Sequence, residues 1–227
     1  MVSLVSFNSA GTNGSHNINL NYSAGTPGQD RLLVVLVNQK NNTTPPVVTY
    51  NGIPFNLAGS VALTQMGSDI LISGFYLLES ELPTSGGNYT LSVSGPGTGK
   101  TVGAFTFQQA AQIPPGAVTS MDPHSTTFVS NNVAPPGPSM VIDSLAVRNA
   151  GWANPGPGQS SPVTANRQNI LSKMSYKNAS APTSMSWSVD PKGKGWAHLI
   201  LTIADISVNP PGEDDQPFNI PFLTNPF

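Results

Sequence analysis

The sequence predicts an all-β protein: an antiparallel β-sandwich of jelly-roll type with a degenerate internal two-fold repeat. Three observations lead there. Charged residues make up only 9% of the 227 residues while Gly and Pro contribute 22 each, a composition wrong for helices, since charge alone usually reaches about 25%. The hydrophobic 38% arrives in short blocks separated by Gly, Pro, Asn and Ser, which is how strands joined by tight turns read. The blocks of the second half then follow those of the first in outline.

In chain order, alternation from Val2 to Phe7 predicts a first strand, closed by Asn8-Ser9-Ala10-Gly11, and Ile18 to Tyr22 alternates again as a second. Both patterns fit strands with one wet face. Arg31-Leu32-Leu33-Val34-Val35-Leu36-Val37 is different. Its six consecutive apolar residues leave no polar face, and its turn-rich flanks make it a buried central strand rather than a helix. Val47 to Tyr50 and Ile53 to Leu57 flank Asn51-Gly52, a hairpin signal because both turn positions need positive φ. Ile70 to Leu78, Asn88 to Ser94 and Val102 to Phe107 read as three consecutive sheet strands. Pro-rich connections follow at about 113–123 and 133–138, with a short strand from Ser125 to Val129 between them.

The second half repeats these signals. Ser139 to Val147 matches the central strand, Leu171 to Lys177 the block ending at Tyr76, Thr183 to Val189 the block containing Tyr89, and Trp196 to Ile206 the block containing Phe105. The offset drifts from about 107 residues to about 94, as unequal loops would make it drift. This predicts a single sandwich domain over 1–207, with pseudo-halves of about 1–112 and 113–207. Two sets of strands unable to cover their own apolar faces are expected to pack on each other.

A Pro-rich C-terminal arm, 208–227, completes the chain. Its prolines bar it from a central ladder. Phe218, Ile220, Phe222, Leu223 and Phe227 carry enough apolar surface, at roughly 1.5–3 kcal/mol per buried side chain, to offset the ordering of a tail. They are the expected interface residues, docking on their own sandwich or on a neighbouring subunit.

Several chemistries are disfavoured. A net charge of −2 with nine scattered basic residues leaves no footprint for nucleic acid or an anionic membrane, and no apolar run approaches a membrane span. No cysteine is present, so neither disulfides nor thiolate metal sites can form. The first residues lack the basic start and long apolar core of a secretory signal, so the chain is expected to be released as a soluble product inside the cell.

Candidate sites are weak. Gly95-Pro96-Gly97-Thr98-Gly99-Lys100-Thr101 resembles a phosphate loop, with Val141-Ile142-Asp143 posing as a magnesium-holding strand. Position 94 is Ser where that motif needs Gly, and β-branched, aromatic Val102 to Phe107 follows where a helix should open; a glycine-rich hairpin fits better. His198 should share a strand face with Trp196 and Ile200 as a packed histidine. His16 lies in a loop, and Asp122-Pro123-His124 offers at most a weak metal site. Glu213-Asp214-Asp215 reads as a solvated hinge. The acidic residues are too scattered for a paired-carboxylate glycosidase, and no Gly-x-Ser-x-Gly elbow is present. Among the tryptophans, Trp187 and Trp196 fall in strands and are expected in the core, whereas Trp152, in the loop Gly151 to Gly158, is the candidate glycan contact. No catalytic residue, cofactor or metal is predicted.

Taken together, the opening strand, Gly28-Gln29-Asp30-Arg31-Leu32-Leu33-Val34-Val35, Val48-Thr49-Tyr50-Asn51-Gly52, Phe75-Tyr76-Leu77-Leu78, Asn88-Tyr89-Thr90-Leu91-Ser92-Val93-Ser94 and Trp196-Ala197-His198-Leu199-Ile200 resemble a group of β-sandwich proteins found in phage virions and bacterial surface proteins. The resemblance spans about Val2 to Ile206. It departs at the longer loop Gly25 to Gly28 and at the C-terminal arm. It implies a fold and no shared catalytic residues. The expected function is a non-enzymatic virion structural protein: a capsid decoration or cement, or a head or tail fibre, homo-oligomeric and contacting a major capsid or other virion protein. It would be assembled in the host cytoplasm. The alternatives are a carbohydrate-binding adhesin that contacts a host-surface glycan, or a subunit of an extracellular filament.

Overall fold

The computed structural model describes residues 1–64, 69–124 and 127–208, and among these described residues the fold is all-β with a single 3-10 turn at Glu79–Glu81. The first unit contains β1 (Ser3–Thr12), β2 (Ile18–Ser23), β3 (Leu32–Lys40), β4 (Val47–Tyr50), β5 (Ile53–Pro54), β6 (Asn56–Leu63), β7 (Ile70–Leu78), β8 (Asn88–Ser94) and β9 (Thr98–Gln108). The second contains β10 (Gly116–Asp122), β11 (Phe128–Val133), β12 (Ser139–Arg148), β13 (Ala153–Pro155), β14 (Ser160–Arg167), β15 (Ile170–Ala179), β16 (Thr183–Val189) and β17 (Trp196–Ala204).

The repeat is real in three dimensions. Sheet order β1-β9-β3-β7-β6 in the first unit is matched by β10-β17-β12-β15-β14 in the second, and outer sheet β2-β8-β4-β5 by β11-β16-β13. Each unit is thus a sandwich in itself, a five-stranded sheet under a smaller outer one, crossed by antiparallel connections in jelly-roll manner. The two five-stranded sheets then face each other. Edge β1 lies against β14 and edge β6 against β10, so the units meet in the reciprocal way of a two-fold pair.

The expected packing of one half on the other is therefore doubled into four layers, for a physical reason readable in β3. A strand apolar on both faces must be covered on both. Leu32, Val34 and Leu36 enter the core between the five-stranded sheets, with Ile142, Leu199 and Leu201. Leu33, Val35 and Val37 enter the core under the first outer sheet, with Tyr50, Leu91 and Val93. The central core also depends on two glycines. Gly74 and Gly103 flank Leu36 in the sheet, and an added Cβ would lie 2.9 Å from Leu201 at Gly74 and 2.5 Å from Met174 Sδ at Gly103. An added side chain there would force Leu201 and Met174 out of their packing.

Four other expectations need correcting. Strand β1 runs on to Thr12 rather than closing at Asn8–Gly11, because Gly11 and Thr12 still pair with Thr101 and Lys100. The blocks at 70–78, 88–94 and 102–107 are not consecutive in one sheet: β7 and β9 flank β3, whereas β8 crosses to the outer layer. Its pattern explains this, since only Leu91 and Val93 are buried between exposed or half-buried neighbours. Gly116–Asp122, read as part of a Pro-rich connection, is strand β10 paired with β17 along its length. Pro114, Pro115 and Pro123 bracket it, and it sits at the sheet edge where prolines do little harm. The short strand expected from Ser125 begins instead at Phe128, and 125–126 lie outside the described residues.

Candidate functional site

The polar residues with the greatest potential for chemistry sit between the two sheets of the second unit. β12 brings Asp143 to the inner face, β15 brings Ser175, β16 Trp187 and β17 His198, all fully buried or nearly so. Asp143 Oδ1 accepts from the Ser175 amide at 3.0 Å and from its hydroxyl at 2.5 Å. Oδ2 accepts from Trp187 Nε1 at 2.7 Å and from His198 Nε2 at 2.8 Å. On the far side of the imidazole, the Asn131 amide donates to His198 Nδ1 at 2.6 Å and to the half-buried Ser120 hydroxyl at 2.6 Å. With Nδ1 accepting, the proton is placed on Nε2, which donates to the carboxylate.

The set looks like the Asp-His-Ser series of a hydrolase, but its geometry argues otherwise. A carboxylate offers about four acceptor positions, and here all four are taken. Asp143 and His198 each have 0% exposure, so no substrate reaches them. Ser120 is reached only through Asn131, not by the imidazole. What the arrangement does is tie six strands, β10, β11, β12, β15, β16 and β17, through one carboxylate. It belongs to the buried networks that hold a core in one arrangement when fully satisfied.

The remaining candidates resolve one by one. Lys100 lies within β9, with no helix after it, and its Nζ donates to the Gly95 carbonyl at 2.7 Å. Positive φ at Gly95, Gly97 and Gly99 lets the chain turn sharply, but not as the expected hairpin, because β8 and β9 lie in different sheets and the segment crosses between layers; burial pushes the Lys100 ammonium down from its ordinary pKa. His198 packs as a strand histidine on the face of Ile200, opposite Leu199 and Leu201. His16 is exposed. Asp122 Oδ1 accepts the His124 amide at 2.7 Å, closing a local turn, and among the described residues no three His, Asp or Glu side chains converge as metal ligands. Trp187 is fully buried, Trp196 half-buried, and Trp152 is 44% exposed. Phe218, Ile220, Phe222, Leu223, Phe227 and the acidic run at 213–215 lie outside the described residues.

One polar clamp closes the first unit. Arg31, 2% exposed, donates from Nε and Nη2 to Glu79, whose carboxylate also takes the Arg31 and Gly28 amides. Burial raises the Glu79 pKa, but these hydrogen bonds and the Arg31 charge outweigh it and hold the carboxyl below its ordinary value.

The Asp143 cluster escaped the sequence reading, which treated Asp143 only as a mock magnesium ligand. A signal was present: an Asp inside the apolar run Met140–Val147 and a His inside the apolar run Ala197–Ile203. Two such residues demand partners, and each is the other's. No family model, curated protein or solved structure matches the chain. Among the described residues no helix is long and apolar enough to cross a membrane.

Proposed function

We propose that the chain is a non-enzymatic virion structural protein, a phage capsid decoration or cement or a head or tail fibre component that works by protein–protein contact. The observation that carries this reading is where reactive and adhesive groups lie. Among the described residues, the constellation resembling a catalytic site is saturated and sealed, whereas five of the large exposed apolar side chains, Val5, Leu57, Val118, Met121 and Phe128, stand on edge strands, β1, β6, β10 and β11. Edge strands are the templates from which a sheet protein joins neighbours, and a rigid four-layer block suits a load-bearing position. Few charges and many polar uncharged residues suit a particle surface, and the same edges would join copies into a homo-oligomer.

The test is compositional. Particles purified from cells expressing the chain are analysed by mass spectrometry and single-particle imaging. The chain is expected at a fixed ratio to the shell protein, with density arranged on the particle's symmetry. A chain found only in the particle-free fraction overturns the reading.

A second reading, a carbohydrate-binding adhesin, is favoured by the exposure of Trp152 beside the turn held by Asp190, whose Oδ2 accepts the Gly151 amide at 2.8 Å. A glycan array separates the two. Binding that disappears in Trp152→Ala supports the adhesin, and no binding by either protein removes it.

A further inference from the structure

A groove of about 380 Å³ opens at one end of the second unit, within the size range of sites that take an apolar guest. Ile113 and Pro115 of the chain entering β10, Val118 on that strand, Val133 and Ala134 at the end of β11, and Ile203 on β17 line it. The side chains lining it are apolar except for Thr202.

At the corresponding point of the first unit the space is occupied. Pairing of Leu32 with Phe107 and of Met140 with Ile203 makes Thr106 the counterpart of Thr202, which lines the groove. Around Thr106 the space is filled by the Tyr22 ring, whose hydroxyl bonds Thr106 at 3.0 Å and Ser6 at 2.8 Å. Pairing of Ser6 with Thr106 and of Gly116 with Thr202 makes Gly116 the counterpart of Ser6. The second unit thus carries neither the hydroxyl nor an aromatic plug. Leu82 and Glu79, in the nine-residue connection after β7, help to close the first unit at this end, Glu79 through its clamp with Arg31. The matching connection between β15 and β16 is only 180–182.

We propose that the missing plug is the chain's own C-terminal segment, 218–227, seated in this groove in cis. The described chain ends at the groove's rim. Asp205 donates its amide to the Pro138 carbonyl, Val208 stands against Gly137, and Pro136 is itself part of the lining. From Val208 the spacer 209–217 reaches at most about 30 Å, ample for doubling back at Gly212. Phe218, Phe222 and Phe227 supply the aromatic side chains that Tyr22 supplies in the first unit. A tether this short gives an effective concentration on the order of millimolar, so the molecule's own segment outcompetes that of a second copy in dilute solution. This docking does not depend on the virion reading.

The test is amide hydrogen exchange on the full-length protein at 5 and 500 µM, beside the double variant Ile113→Asp/Ala134→Glu. Both substituted residues lie in loops and are not fully buried, and unchanged protection of β3 reports that the variant is folded. Exchange in 218–223 is expected to be at least tenfold slower than in an unstructured chain, equally so at both concentrations, and to reach the unstructured rate in the variant. Unprotected 218–223 in the unmodified chain overturns the proposal. So does protection that survives the groove variant, or protection present only at high concentration, which would assign the groove to a second copy's tail.

Discussion

Val35 and Asp143 occupy the same position in the two units, and the contrast between them shows how one strand order can be held in two ways. Val35 pairs with Phe75 and Ala104, and Asp143 with Ser175 and Ile200. The first unit fills this point with branched and aromatic carbon, under Tyr22, Tyr50 and Tyr89 rings stacked edge to face. The second fills it with a carboxylate and supplies four donors. The first solution relies on area removed from water and tolerates imperfect neighbours. The second is all or nothing, because each donor left without its carboxylate is a buried unpaired group.

The sharpest way to break the comparison is to give the first unit the second unit's residue. Val35→Asp places a carboxylate beside Phe75 and Ala104 without donors, and the cost of an unpaired buried charge is a large fraction of a marginal stability of about 5–15 kcal/mol. A loss of about 4 kcal/mol or more is expected in urea unfolding, or no folded protein at all. A loss below about 1 kcal/mol would show that the first unit recruits partners. The reverse change, Asp143→Val, strands His198, Trp187 and Ser175. It should cost about 3–5 kcal/mol, and Asp143→Val combined with His198→Val should cost less than the two single losses added, since each then removes the other's unmet need.

Smaller effects test the closing clamp. Glu79 sits below its ordinary value of 4.5, so its contribution is full above that value and is lost as pH falls through the folded-state value. Glu79→Gln should cost about 2 kcal/mol at pH 7 and flatten the acid limb of the stability profile. Equal acid sensitivity in both proteins would remove the clamp from the account. Least of all, Gly52→Ala at φ 80° should cost about 1 kcal/mol, because the hairpin between β4 and β5 lies at the rim of one outer sheet.

How much was legible beforehand follows the range of each interaction. The Asn51-Gly52 turn has both residues at positive φ, 52° and 80°, as the dipeptide alone implies. β3 is buried from Leu32 to Gln39, as a run without a polar face requires. That Gly95–Gly99 leads into a strand rather than a phosphate-binding helix was likewise readable in the β-forming residues after it, whereas its crossing between sheets in place of a hairpin was not. The Asp143 cluster was not legible as a cluster, because its hydrogen-bonded partners are up to 67 residues apart and only sheet order brings them to one point. The groove was invisible for the same reason: it depends on Gly116 and Val133 standing where the other unit has Ser6 and a filling ring.

The sequence by itself determined most of the strands, their turns and the two-fold repeat, since each is written in a period, a dipeptide or a block recurring along the chain. Only tertiary structure decided that each half closes into its own sandwich, that the two broad sheets meet face to face, and that Asp143 is a tie rather than a reactive group. The physical reason is that alternation tells a strand which of its faces must be dry but not what will cover it. A buried polar side chain, in the same way, announces a need for partners without naming the strands that will bring them.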